Sequence, residues 1–110
     1  MIDLFAGAGG LSEGLSMAGF DSLFASEIVP AYALTYQENH PRALVQTADI
    51  RELDPRRVMQ QISVRRGEID LMAGGPPCQG FSINAPVRSA QDHRNHLFRE
   101  YLRFVEAFAP

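Results

Sequence analysis

Short apolar runs that alternate with segments of helical spacing constrain this chain more than any other feature. Ile2 to Phe5 is the first run, and it ends in the glycine-rich turn A-G-A-G-G. Leu11, Leu15 and Ala18 then recur at helical spacing, with Gly19 placed to stop the helix. A second strand is predicted over Asp21 to Ser26, ending at Glu27. A helix follows over Pro30 to Asn39, with proline in its first turn and Ala31, Leu34 and Thr35 on one face. A third strand spans Ala43 to Gln46. Asp54-Pro55 reads as N-cap and first residue of another helix, whose inward side carries Val58, Ile62 and Met59. Ile69 to Ala73 is a fourth strand, stopped by G-G-P-P. After a polar stretch from Ile83 to about His93, a last helix begins near Asn95. It has Leu97, Phe98, Tyr101, Leu102, Val105 and Phe108 at helical spacing.

This alternation predicts an α/β fold, a parallel sheet with helices on both faces. Right-handed crossovers place the first and fourth strands side by side, with the second and third beyond the first. Ligands of such sheets sit at the carboxyl ends of strands, where the order reverses. A-G-A-G-G, Glu27 and P-P-C-Q each follow a strand, so they are expected to converge on one crevice.

Composition excludes several classes. At 110 residues and 45% hydrophobic, the chain is too apolar for disorder and too short for two ordinary domains. No apolar run approaches the roughly 18–20 residues of a membrane span, so no membrane partner is expected. The opening M-I-D-L-F-A-G-A-G-G has no basic, signal-like region, and a single cysteine allows no internal disulfide; a cytoplasmic setting fits both. One cysteine and three histidines make a structural zinc cluster improbable, and no metal ligand is assigned. The net charge is −3 and every basic residue is arginine. That argues against a nonspecific DNA-coating protein, not against an enzyme that docks DNA locally.

Three constellations carry chemistry. In Asp3 to Ser12, Gly7, Gly9 and Gly10 let the backbone turn sharply and approach a ligand. Twenty residues after Gly7 stands Glu27, whose carboxylate can accept from both hydroxyls of a ribose, or simply be a surface glutamate beside a tight turn. Asp49-Ile50 follows the third strand; the aspartate can accept from an adenine amino group while isoleucine packs on the ring, or it is a solvated loop residue. The most specific stretch is G-G-P-P-C-Q-G-F-S, Gly74 to Ser82. Two prolines stiffen the backbone just before Cys78, which suits a nucleophile better than an inert buried thiol.

In this order, D-L-F-A-G-A-G-G and G-G-P-P-C-Q-G-F-S resemble the first and fourth motifs of the DNA (cytosine-5)-methyltransferases. D-H-R-N-H-L-F, Asp92 to Phe98, resembles the fifth. Amino-methyltransferases acting on adenine have an aromatic residue where this chain has Cys78. The tRNA-directed relatives have proline and then F-T after P-P-C-Q, where this chain has Gly80, Phe81 and Ser82. The resemblance implies a Rossmann-like S-adenosylmethionine-dependent methyltransferase fold, truncated here after about four strands. It implies methyl transfer from S-adenosylmethionine to carbon 5 of a cytosine flipped out of double-stranded DNA, by way of a covalent Cys78 adduct.

The same resemblance carries over Phe5, Ala6, Gly7, Gly10, Glu27, Ile28, Asp49, Ile50, Gly75, Pro77 and Leu97 as cofactor contacts. Gln79, Ser82, Arg88 and Arg94 fall in the stretch that closes over DNA in the family. The two arginines are candidates for phosphate contact or solvated loop charge. In the family a strand bearing E-N-V, an arginine-rich motif, a target-recognition domain and a final cofactor motif follow. Residues 1–110 are therefore expected to be the amino-terminal part of a single cofactor-binding and catalytic domain, without target recognition. The rival expectations are a non-catalytic S-adenosylmethionine-binding remnant, or one chain of a split methyltransferase completed by a complementary chain. A nicotinamide dehydrogenase fits poorly: Ser12 stands where the dinucleotide fingerprint needs a third glycine or alanine, and P-P-C-Q has no role there.

Overall fold

The structure, a computed structural model, describes residues 1–76 and 95–110. Four strands, β1 (Ile2–Leu4), β2 (Phe24–Glu27), β3 (Leu44–Thr47) and β4 (Met72–Gly74), form one parallel sheet in the order β3-β2-β1-β4. This is the order that right-handed crossovers predict. Ile2 pairs with Phe24 on one side and Met72 on the other, and Phe24 pairs with Leu44. The helices are α1 (Gly10–Met17), α2 (Pro30–Asn39), α3 (Pro55–Gln61) and α4 (Asn95–Phe108), and a 3₁₀ turn covers Ile50–Glu52. Strand boundaries shift from the expected ones. The second strand starts at Phe24 rather than Asp21, the third covers Leu44–Thr47, and the fourth covers Met72–Gly74 rather than Ile69 to Ala73.

The alternation of β1 separates the two layers. Ile2 and Leu4 join Phe24, Val58, Ile69, Phe104 and Phe108 in the larger core, under α3 and α4. Phe104 and Phe108 stack with centroids 6.2 Å apart and are fully buried. Ala6, Ala25, Tyr36 and Ala43 form the smaller core on the side of α2. Val58 is buried and Ile62 and Met59 are partly buried, as the spacing of α3 predicts.

Helix ends follow local chemistry. The N–H of Gly19 donates to the Ser16 carbonyl (3.0 Å) and that of Phe20 to Leu15 (3.1 Å), closing α1 with Gly19 left-handed at φ 100. Asp54 Oδ1 accepts from the N–H of Arg56 at 3.0 Å and caps α3, with Pro55 first in the helix.

The inward faces of α1 and α2 differ from expectation. Leu11 is 51% exposed and Ala18 is exposed, while Ser12 is fully buried. On α2, Ala33 and Tyr36 face the sheet; Leu34 is 63% exposed, and Ala31 and Thr35 are exposed too. The reason is Asp3, which β1 points into the α1 side. A buried carboxylate needs hydrogen-bond donors, so polar groups rather than leucines occupy that layer. Ser12 Oγ donates to Asp3 Oδ2 (2.5 Å), and the Tyr36 hydroxyl lies 2.6 Å from both Ser12 Oγ and Ser22 Oγ. Since Ser12 has one proton and gives it to Asp3, the chain runs Ser22 to Tyr36 to Ser12 to Asp3. Gly9 completes this packing: a Cβ there would lie 2.8 Å from Tyr36 Cδ2, and its φ of 99 is left-handed.

Candidate functional site

A cleft of about 230 Å³ opens at the carboxyl ends of β1, β2 and β3. It is lined by Phe5 after β1, by Ser26, Glu27 and Ile28 at the end of β2, by Ala48 to Arg51 after β3, and by Leu97 of α4. The wall is largely apolar with few polar groups, the usual make-up of a small-molecule site.

Glu27 is half-buried and held from two directions. Its Oε1 accepts from the N–H of Gly7 and its Oε2 from the N–H of Val29, both at 2.8 Å. The first bond ties the glycine-rich turn to β2; the second fixes the start of α2. A carboxylate has about four acceptor sites, so each oxygen can still accept a ligand hydroxyl. Asp49 stands differently. Its Oδ1 caps the 3₁₀ turn through the N–H of Arg51 (3.0 Å), and the Arg51 guanidinium grips both oxygens, Nη2 at 2.6 Å from Oδ2. Arg51 beside it holds the Asp49 carboxyl below the usual carboxylate range.

Phe5 is a bulky non-glycine residue at φ 54. Left-handed backbone is costly for such a side chain and tends to cluster at ligand sites. The turn around it is pinned where the N–H of Ala6 donates to the Ser26 carbonyl at 3.0 Å.

Of the expected cofactor contacts, Phe5, Glu27, Ile28, Asp49, Ile50 and Leu97 line this one cleft. Ala6 is buried in the smaller core, Gly7 reaches the site through Glu27, Gly10 is exposed at the start of α1, and Gly75 is exposed just beyond β4. Pro77, Cys78, Gln79, Ser82, Arg88 and Arg94 lie outside the described residues. Ser26, Ala48 and Arg51 were not anticipated as lining residues. Ala48 and Arg51 flank Asp49-Ile50, so reading that dipeptide as part of a turn points to both.

Strand β4 ends at Gly74, and that end is tightly fixed. A Cβ on Gly74 would run into the Leu4 carbonyl and meet Tyr101 Cε2 at 2.8 Å. The Tyr101 hydroxyl donates to the Met72 carbonyl at 3.2 Å, so α4 braces the strand. Burial, with Asp3 nearby, holds the Tyr101 hydroxyl above its ordinary value.

Comparison with known proteins places this geometry. A family model described as C-5 cytosine-specific DNA methylase matches residues 1–110. The type II methyltransferase M.AgeI of Thalassovita gelatinovora is 46% identical over 99% of this chain and 25% of its own length. M.DdeI of Desulfomicrobium norvegicum is 44% identical over 100% of this chain and 25% of its own. Among solved structures, a prophage-encoded E. coli protein assigned as a DNA modification methyltransferase superposes with a TM-score of 0.78 at 36% identity. The match covers 99% of this chain and 29% of that one. The chain thus spans about a quarter of the length of these two curated relatives. A parallel sheet in the order β3-β2-β1-β4, a glutamate-bearing cleft at its carboxyl edge and an end-to-end match lead to one assignment: the chain belongs to the C-5 cytosine-specific DNA methylase family.

Proposed function

We propose that the complete protein carrying this chain is a DNA (cytosine-5)-methyltransferase, acting in the cytoplasm on double-stranded DNA in a restriction-modification setting. The observation that carries this reading is Glu27, standing with spare acceptor sites among Phe5, Ile28, Ile50 and Leu97 in a chain of this family. The residues present fit an adenosine-containing cofactor: Glu27 would accept from two hydroxyls, and Ile28 and Ile50 would offer apolar surface to a flat ring. Asp49 accepts the ring's amino group as the exposed Arg51 side chain gives way. The family resemblance adds Ala6, Gly7, Gly10, Gly75 and Pro77 as further contacts to the same ligand. S-Adenosylmethionine, when bound, supplies an electrophilic methyl group on a sulfonium, suited to an electron-rich carbon.

Cys78 makes carbon 5 electron-rich. As thiolate it adds to carbon 6 of the flipped cytosine, forming an S–C bond and turning the ring into an enamine. Carbon 5 would then take the methyl group as the methyl–sulfonium bond breaks and a neutral thioether leaves, and would lose its proton to water. The S–C bond breaks, the thiolate leaves and the aromatic ring returns. Gln79, Ser82, Arg88 and Arg94 contact the displaced cytosine and its phosphates.

The test is transfer of tritium from labelled cofactor to mixed-sequence DNA, followed by base analysis. 5-Methylcytosine is the expected product; label on an exocyclic nitrogen would contradict the reading. Cofactor binding without transfer would favour a non-catalytic remnant, or a complementary chain that must be added.

A further inference from the structure

Arg103 does not line the cleft, yet its side chain ends on the back of the cleft wall. It leaves α4 two turns after Leu97 and reaches the turn that follows β3. Nη2 donates to the Ile50 carbonyl at 2.9 Å and Nη1 to the Leu53 carbonyl at 2.8 Å. Nε is held by Glu100 Oε2 at 2.7 Å, one helical turn back. The guanidinium therefore spends all three nitrogens on one geometry, partly buried between α4 and the 3₁₀ turn. A planar fork spreads its N–H groups over three nitrogens and so spans two carbonyls and a carboxylate at once; an ammonium has three N–H donors but all on one nitrogen.

What this fork holds is the segment that carries Asp49 and Ile50. Within that segment the bonds are local: the N–H of Glu52 donates to the Asp49 carbonyl (2.9 Å) and that of Leu53 to Ile50 (3.1 Å). A three-residue 3₁₀ turn is too short to be stable alone. Its Asp49–Arg51 pair lies within the segment, so it ties the turn to nothing outside it. Ile50 and Leu53 also pack on the larger core, but among the described residues the hydrogen bonds that reach the segment from outside come from Arg103, one of them to the carbonyl of a residue that lines the cleft.

We infer that Arg103 is a positioning residue for cofactor binding, holding the Asp49–Leu53 wall in its binding shape from behind. The inference rests on the proposed cofactor site. Glu100 serves it by orienting the guanidinium. The effect belongs to cofactor affinity rather than to the chemical step, because the side chain contacts neither the cofactor nor the base.

Two readouts on the complete protein test it, for Arg103→Met and for Arg103→Lys, the milder change should the first fail to fold. One is the calorimetric Kd for S-adenosylmethionine, with KM and kcat beside it. The other is amide hydrogen exchange at Glu52 and Leu53 in cofactor-free protein. Arg103→Met is expected to raise Kd and KM about tenfold or more, leave kcat at saturating cofactor within about twofold, and speed both amides about tenfold. Arg103→Lys, keeping the charge but only one donor nitrogen, is expected to fall between. Phe108→Leu, a core change at the far end of α4, should lower stability without moving Kd. The inference requires both readouts to respond in either variant that folds; a Kd within twofold of wild type, or unchanged exchange, overturns it. Wild-type protein that takes up no cofactor would instead overturn the functional reading.

Discussion

Glu27 accepts two backbone N–H groups and keeps acceptor sites for a ligand, so its removal has two costs. Glu27→Ala should weaken S-adenosylmethionine binding by about 1–3 kcal/mol, the range for a lost charge-assisted bond. Glu27→Gln, with one acceptor oxygen, should lose less; calorimetry on the complete protein distinguishes the three. Gly7 sits at φ 59 with open space where a Cβ would stand, so Gly7→Val would be penalised by its backbone angle rather than by a protein clash.

Two carboxylates titrate with opposite signs. Burial holds the Asp3 carboxyl above 3.8, against the opposing Ser12 bond. The folded state then keeps that proton to higher pH than the unfolded chain. Its contribution is greatest below 3.8 and is lost as pH rises through the raised folded value. Asp49, held low by Arg51, contributes above 3.8 and loses that contribution as pH falls through its lowered value. Asp3→Asn should therefore flatten the decline of unfolding free energy as pH rises above that value, measured by urea unfolding. An unchanged slope would mean that Asp3 is not raised.

At the scale of elements, β4 is fixed by contact rather than by length. Gly74→Ala forces a methyl group against the Leu4 backbone, which cannot rotate away as a side chain can. Overpacking of this kind costs about 1–3 kcal/mol, and denaturant midpoints would report it. Period and turn chemistry made most elements legible: Gly19 stops α1, Asp54-Pro55 starts α3, and the strand order follows from handedness. The inward faces of α1 and α2 were not legible, because apolar spacing favours Leu11 and Leu34 while the partner that decides is Asp3, nine residues before Ser12. The grip of Arg51 on Asp49 and of Arg103 on Ile50 was equally hidden, since an arginine's reach is long and its partners here include backbone carbonyls. Six of the expected cofactor contacts do line one cleft, since a residue at the carboxyl end of a parallel strand has few other places to face.

For the whole molecule, the larger core joins β1, β2, α3 and α4 through Phe104 and Phe108. Phe104→Ala should cost about 3–5 kcal/mol, a large share of the stability of any domain of this size. The α4 surface also leaves Phe98 41% and Leu102 46% exposed. The 110-residue chain by itself is expected to transfer no methyl group and to self-associate, which light scattering would detect.

The proposed attack of Cys78 on cytosine passes through a covalent intermediate, which can be trapped. In DNA containing 5-fluorocytosine, incubated with the complete protein and S-adenosylmethionine, the fluorine on carbon 5 cannot leave as the proton does, so the S–C bond to the protein cannot be eliminated. The expected result is a covalent protein–DNA adduct that survives denaturation, maps to Cys78, and is absent in Cys78→Ser, which should still bind cofactor. Cofactor-bound wild-type protein that methylates cytosine-containing DNA yet forms no adduct, or an adduct that persists in Cys78→Ser, would contradict it.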